Sequence, residues 1–191
     1  MTKTTRLEAI NTIIACIGES PVSSLDQLSA DAAIALNVLN EVLREVQSRG
    51  WHFNTVTRTL VRDQSGRIPL ADNCVRVDTD WSDQPDLDIG IRGDFAYDLG
   101  NDTEFFRRDV KDARLVLLFD FEELPEVARR YCMIRAGRIF GDRMVASEKV
   151  NAFTRMDEQM AWVDLREYES DTADRTIFDH PDVGMTLHRT R

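Results

Sequence analysis

The sequence predicts an α+β fold: a four-helix bundle with an inserted small antiparallel β domain and an extended C-terminal arm. Three observations predict it. Apolar residues recur at spacings of three and four in four separated segments, as in helices with one apolar stripe. Between about residues 54 and 120 the period falls to two, as in half-buried strands. The last stretch follows neither period. The expected organisation is therefore 1–53 and 121–173 for the bundle, 54–120 for the β-rich insert and 174–191 for the arm.

The first helix is expected over roughly residues 4–18, with Leu7, Ile10, Ile14 and Ile17 on one face and Gly18 as its stop. Pro21 cannot continue a helix, so Glu19–Leu25 reads as a loop. Ser29 is a good N-cap for a second helix, whose stripe is Ala32, Leu36, Leu39, Leu43 and Val46. That helix should stop at the segment Gln47-Ser48-Arg49-Gly50-Trp51-His52-Phe53-Asn54. Gly50 supplies a left-handed residue, and Arg49 suits the negative end of the helix dipole. Trp51 and Phe53 are apolar anchors that fix the exit direction of the chain.

In the insert, Thr55–Val61 is rich in β-branched residues. Leu87, Ile89 and Ile91 alternate with polar neighbours, as do Phe95, Tyr97 and Leu99, and Arg92-Gly93-Asp94 between them is a hairpin turn. Ala113, Leu115, Leu117 and Phe119 form one more alternating strand. A small sheet or sandwich of five to seven antiparallel strands is expected, perched on one end of the bundle. Pro125 suits the first position of a third helix running to about Gly141. Ser147 caps a fourth helix, with Phe153, Met156, Met160 and Val163 as its expected stripe, fading near Ser170. The arm carries Pro and Gly but also Ile177, Phe178, Val183, Met185 and Leu187, with Arg189 and Arg191 near its end. It is too apolar to be a mere solvated end. It either folds back on its own bundle or docks on a neighbour.

Bulk properties narrow the function. A chain of 191 residues can bury a real core. No run approaches the length of uncharged apolar sequence that a membrane-spanning helix needs, and no membrane partner is expected. The N-terminal apolar run is interrupted by Glu8 and Asn11 and reads as an amphipathic helix rather than a secretory signal. The three cysteines, Cys16, Cys74 and Cys132, are odd in number and form no CxxC pair. They suggest small apolar groups in a reducing compartment, not a disulfide framework. Net charge is −10. From Asp63 to Asp109 there are 12 acidic residues and 5 basic ones, so this stretch alone carries −7. That balance argues against a phosphate-gripping surface.

No catalytic or cofactor motif stands out, so no enzyme, metal or cofactor is expected. The acidic run Asp78, Asp80, Asp83, Asp86, Asp88 lacks the glycine and closing glutamate of a calcium loop. Glu122 and Glu123 could be an acid/base couple, but they precede a helix whose N-terminus favours negative charge. Arg129, Arg130, Arg135, Arg138 and Arg143 share the third helix. They could bind phosphate, or pair with Asp157, Glu158 and Asp164 of the fourth helix, or with a neighbouring subunit. Ion pairing is favoured because the potential of the molecule repels polyanions. Arg129, Arg135 and Arg138 are the candidates for pairs between subunits.

A family resemblance runs nearly end to end. Ala9-Ile10-Asn11 leading to Ile17–Leu25, then Ala32-Ala33, Leu39-Asn40 and Gln47–Asn54, resembles the tail tubular protein A family. These are the adaptor, or gatekeeper, proteins of short-tailed bacteriophages. Gly18, Pro21, Gln47, Arg49, Gly50, Trp51 and Phe53 carry the two N-terminal motifs. Arg92-Gly93 with Tyr97-Asp98, Glu123–Glu126 with Arg129 and Tyr131, and Ile177-Phe178-Asp179 with Pro181-Asp182-Val183 extend the likeness. The acidic loop at 72–88 matches nothing in it.

The resemblance implies a virion role: a dodecameric ring of identical subunits between the capsid portal and the tail nozzle (tail tubular protein B). Genomic DNA would pass through the lumen without specific binding, and tail fibres would attach nearby. It implies assembly in the host cytoplasm and residence in the virion tail, with the arm as the docking element for the portal or a neighbour. One rival is a head-completion or connector protein of a long-tailed phage. A more distant one is a small virion-associated hydrolase using two carboxylates.

Overall fold

A computed structural model of the chain describes residues 2–80, 84–144 and 148–173; from 148 to 154 it describes backbone alone. Four α-helices and five strands occur among them: α1 (Arg6–Ala15), α2 (Ala30–Gln47), β1 (Thr55–Leu60), β2 (Cys74–Asp78), β3 (Ile89–Arg92), β4 (Phe95–Asp98), β5 (Val110–Leu117), α3 (Glu126–Met144) and α4 (Glu148–Thr172). The molecule is an α+β protein with small antiparallel sheets.

Local chemistry sets the helix ends. Thr5 and Glu8 form a reciprocal capping box that starts α1. Ser29 accepts from the Ala32 N–H and starts α2, as its sequence suggests. Pro125 immediately precedes α3, and its carbonyl accepts from Ala128 and Arg129. α3 passes Gly141 and continues to Met144, three residues beyond the expected stop. Gly141 keeps right-handed geometry there, so nothing forces termination. The proposed cap Ser147 lies outside the described residues, as does the whole arm 174–191.

The helices share one apolar cluster. It includes Ile10, Ile13 and Ile14 of α1, Val38, Leu39 and Val42 of α2, Ala136 and Phe140 of α3, and Ala161 and Leu165 of α4. α3 packs against each of the other three helices, and α1 also meets α2. Two expectations fail here. Of the expected inward stripe of α4, Phe153 has its side chain outside the described residues, and Met156, Met160 and Val163 are 61%, 54% and 46% exposed. The inward face is instead Ala161 and Leu165, flanked by Trp162. Cys16 is exposed rather than a buried apolar filler, whereas Cys132 is fully buried.

The strands form two antiparallel sheets. β5 is the centre of a three-stranded antiparallel sheet in the order β1-β5-β2, and β3 pairs with β4 in a hairpin. The hairpin closes with Arg92 opposite Phe95, and Gly93 turns the chain at φ 61°. β2 was not expected, because Cys74–Asp78 has only one buried residue, Val77. Ile91 and Leu99 alternate correctly but remain 37% and 52% exposed. A second apolar cluster fills the β region around Leu60, Ile68, Val110 and Leu115, and Phe119 packs against both clusters.

Candidate assembly surfaces

The segment from Gln47 to Asn54 is a hydrogen-bonded buckle between helices and sheet. Gln47 is 1% exposed. Its side chain donates to the Phe119 carbonyl at 3.0 Å and accepts from the Phe119 N–H at 2.8 Å. Asn54 is completely buried. Its Nδ2 donates to the carbonyls of Gln47 and Leu117 at 2.9 and 2.8 Å, and its Oδ1 accepts from the Trp51 N–H at 2.8 Å. Every polar atom of the two amides that the interior would otherwise strand therefore has a partner. Gly50 lies at φ 77°, and a Cβ there would collide with the Arg76 guanidinium and stand 2.9 Å from Val116 Cγ2. Glycine is needed for both backbone and space.

The same segment holds α4. Trp51 donates its indole N–H to the Val46 carbonyl at 2.7 Å and meets the Trp162 ring edge-on at 5.4 Å. Phe53 stacks parallel to Trp51 at 6.3 Å. Arg49 lies just past the end of α2, not in its last turn, and its guanidinium sits 4.9 Å over the Trp162 ring. The His52 N–H donates to both carboxylate oxygens of Glu169, at 3.0 and 2.8 Å. Neither Asn54 nor Trp162 was singled out from sequence. Asn54 entered only as the last residue of the Gln47–Asn54 segment, and nothing in the sequence marked it as a buried brace.

The loop that follows α1 is held locally. Gly18 is left-handed at φ 80° with open space around it, and Pro21 is exposed in the loop. Asn11 clamps that loop to α1, exchanging two hydrogen bonds with the backbone of Val22 at 2.8 and 3.0 Å.

The arginines of α3 find their partners within the chain. Arg129 is 3% exposed, and its guanidinium donates to the carbonyls of Leu124 at 2.9 Å, Thr4 at 2.7 Å and Glu122. It is a buried brace for the start of the helical region, so it is not available for a pair between subunits. Arg135 bonds Glu158 at 2.5 Å and Glu45 at 2.8 Å, and Arg138 bonds Glu158 and, at 2.8 Å, Asp142. Partial burial works against the Arg135 charge, but the bonds to Glu158 and Glu45 override it and hold the pKa above the ordinary arginine value. Arg130 reaches Asp164 at 3.8 Å, and Arg143 reaches Glu41 at 3.0 Å. Pairing with the fourth helix, one of the alternatives open in the sequence, thus holds for Glu158 and Asp164. These contacts fasten α4 to α3.

Among the described residues, the polar groups of the clefts pair largely with one another. The cleft beside the β3–β4 hairpin, of about 560 Å³, is lined by Asp86, Asp98, Asn101, Phe105, Arg107 and Arg108. Its polar groups are mostly spent on each other: Arg108 grips Asp86 at 2.8 and 2.9 Å, and Asp98 accepts from Asn101 twice at 2.9 Å. Glu123 accepts from the nearby Asp120 N–H at 3.0 Å, and Glu122 accepts from the Arg6 N–H at the start of α1 at 3.1 Å, so each is committed to backbone. Burial pushes the Cys132 thiol up to about 12, which keeps it protonated and unreactive. Among the described residues no His, Cys, Asp and Glu group could hold a metal ion, and no helix is long and apolar enough to cross a membrane. What remains is a set of braces plus one outward apolar stripe on α4.

A scaffold of this kind agrees with sequence comparison. Residues 7–175 match the family model described as tail tubular protein. The chain belongs to the tail tubular protein family. It is similar to "Tail tubular protein A" of Klebsiella phage KP34, with 34% identity over 122 residues. That alignment covers 64% of this chain and 63% of the relative's length. As a tail tubular family member the chain is a structural component of a phage tail. Gly18–Pro21 and Gln47–Phe53 both lie within the matched residues, and the second segment braces the helices against the sheet.

Proposed function

We propose that this chain is the adaptor, or gatekeeper, subunit that joins the capsid portal to the tail nozzle. Copies of it close into a dodecameric ring, the genome leaves through the bore, and tail fibres attach near the junction with the nozzle. The observation that carries this reading is the family match over residues 7–175. The helices act as a four-helix bundle that forms one wall of the ring, with 54–120 as an insert upon it. No single subunit has a bore, so the conduit lies between copies in a closed cyclic assembly. A net charge of −10 favours a wall along which DNA phosphates slide rather than stick. The arm residues Ile177, Phe178, Val183, Met185, Leu187, Arg189 and Arg191 dock on the portal or a neighbouring subunit once the ring forms. The work of the protein is assembly without enzymatic chemistry, completed in the host cytoplasm and retained in the virion.

Electron microscopy of purified protein mixed with its portal tests this. Rings joined end to end are expected. Persistent failure to form any ring, alone or with portal, overturns the reading.

A further inference from the structure

α4 has two apolar faces, and among the described residues only one is packed. Ala161, Leu165 and Trp162 face the helical core. On the roughly opposite side Met156, Met160 and Val163, at spacings of four and three, line a shallow groove of about 350 Å³ with Gln159 and Asp164. A stripe like this is uncommon on a helix face that meets only water.

We propose that in the free subunit this groove is covered by the chain's own C-terminal residues, Val183 to Arg191. Val183, Met185 and Leu187 recur at a period of two and so share one face of any extended segment. From Val183 to Leu187 such a segment spans about 13 Å, against about 10 Å from Met156 to Val163 along the helix. The reach also agrees. Val163 and Met156 lie about 15 and 26 Å back from Ala173, at the end of α4. Ten extended residues from Ala173 to Val183 reach about 33 Å, which leaves slack for a reversal at Asp179-His180-Pro181-Asp182.

Charge is complementary as well. From Met156 to Ala173 the helix carries six acidic residues and one basic residue, Arg166. Asp157, Glu167 and Asp171 lie on or beside the outer face, while residues 184–191 hold two arginines, a histidine and no acid. A second copy is the weaker occupant. Three side chains fall well short of the roughly 800 Å² per partner of a stable interface. A tethered arm needs far less, because its effective concentration is already millimolar.

This proposal concerns the chain before assembly and holds whether or not a ring later forms.

The test uses the full chain without portal. Met160→Cys and Met185→Cys are combined with Cys16→Ser, and the protein is oxidised with oxidised glutathione at low micromolar concentration. A link within one chain is expected, and Val183→Asp with Leu187→Asp should reduce its yield at least tenfold while circular dichroism stays unchanged. Three results overturn the proposal: no link, a link indifferent to the two aspartates, or links mainly between chains. Ring formation on the portal, scored separately with the unmodified protein, bears on the adaptor reading alone.

Discussion

Gly50 and Gly18 separate two reasons for needing glycine. Both are left-handed, at φ 77° and 80°. At Gly18 an added methyl meets nothing, whereas at Gly50 it strikes Arg76 and crowds Val116. Gly18→Ala should therefore cost only the backbone strain, about 1–2 kcal/mol. Gly50→Ala adds overpacking and should cost about 2–5 kcal/mol. Urea midpoints at unchanged slope measure the difference, and equal losses at the two sites would show that the crowding at Gly50 is relieved without cost. The left-handed role of both glycines is legible in the sequence, because each follows an apolar helical stripe. The crowding is not, since Arg76 and Val116 arrive from strands distant in the chain.

At the scale of elements, α4 gives the clearest lesson. Its sequence carries two sets of apolar residues at helical spacing, and periodicity alone favours the bulkier one. The structure buries Ala161 and Leu165 and leaves Met156 and Met160 outside. The choice follows from neighbours: Glu158 must face Arg135 and Arg138, Trp162 must meet Trp51 and Tyr131, and Glu169 must reach the His52 N–H. These partners fix the rotation of the helix. Leu165→Ala should accordingly cost about 2–5 kcal/mol, and Met156→Ala roughly 0.5 kcal/mol. Thermal unfolding followed by circular dichroism checks the pair. A reversed order would return the expected stripe to the core.

Across the whole molecule, the helical and β clusters are coupled by two buried amides. Gln47 braces Phe119, and Asn54 braces Leu117, both on the chain returning from β5 to α3. Truncating either amide leaves backbone groups unpaired, at about 1–3 kcal/mol for each. Gln47→Ala and Asn54→Ala should each destabilise by about 2–4 kcal/mol. Because they hold one segment, their double mutant should depart from additivity by roughly 0.5–3 kcal/mol. Strict additivity in urea unfolding would mean that the two braces act independently. A connection this tight keeps the β region in a fixed pose on the helices.

By itself the sequence determined the helix starts at Ser29 and Pro125, the hairpin at Gly93, the acidic balance and the family. Each of these is written in residues close together along the chain, where caps, turns and composition act locally. Tertiary structure alone decided that Arg129 is a buried brace, that β5 lies between β1 and β2, and which face of α4 meets the core. These outcomes depend on groups brought together from distant positions, and no local pattern records which of several possible partners arrives.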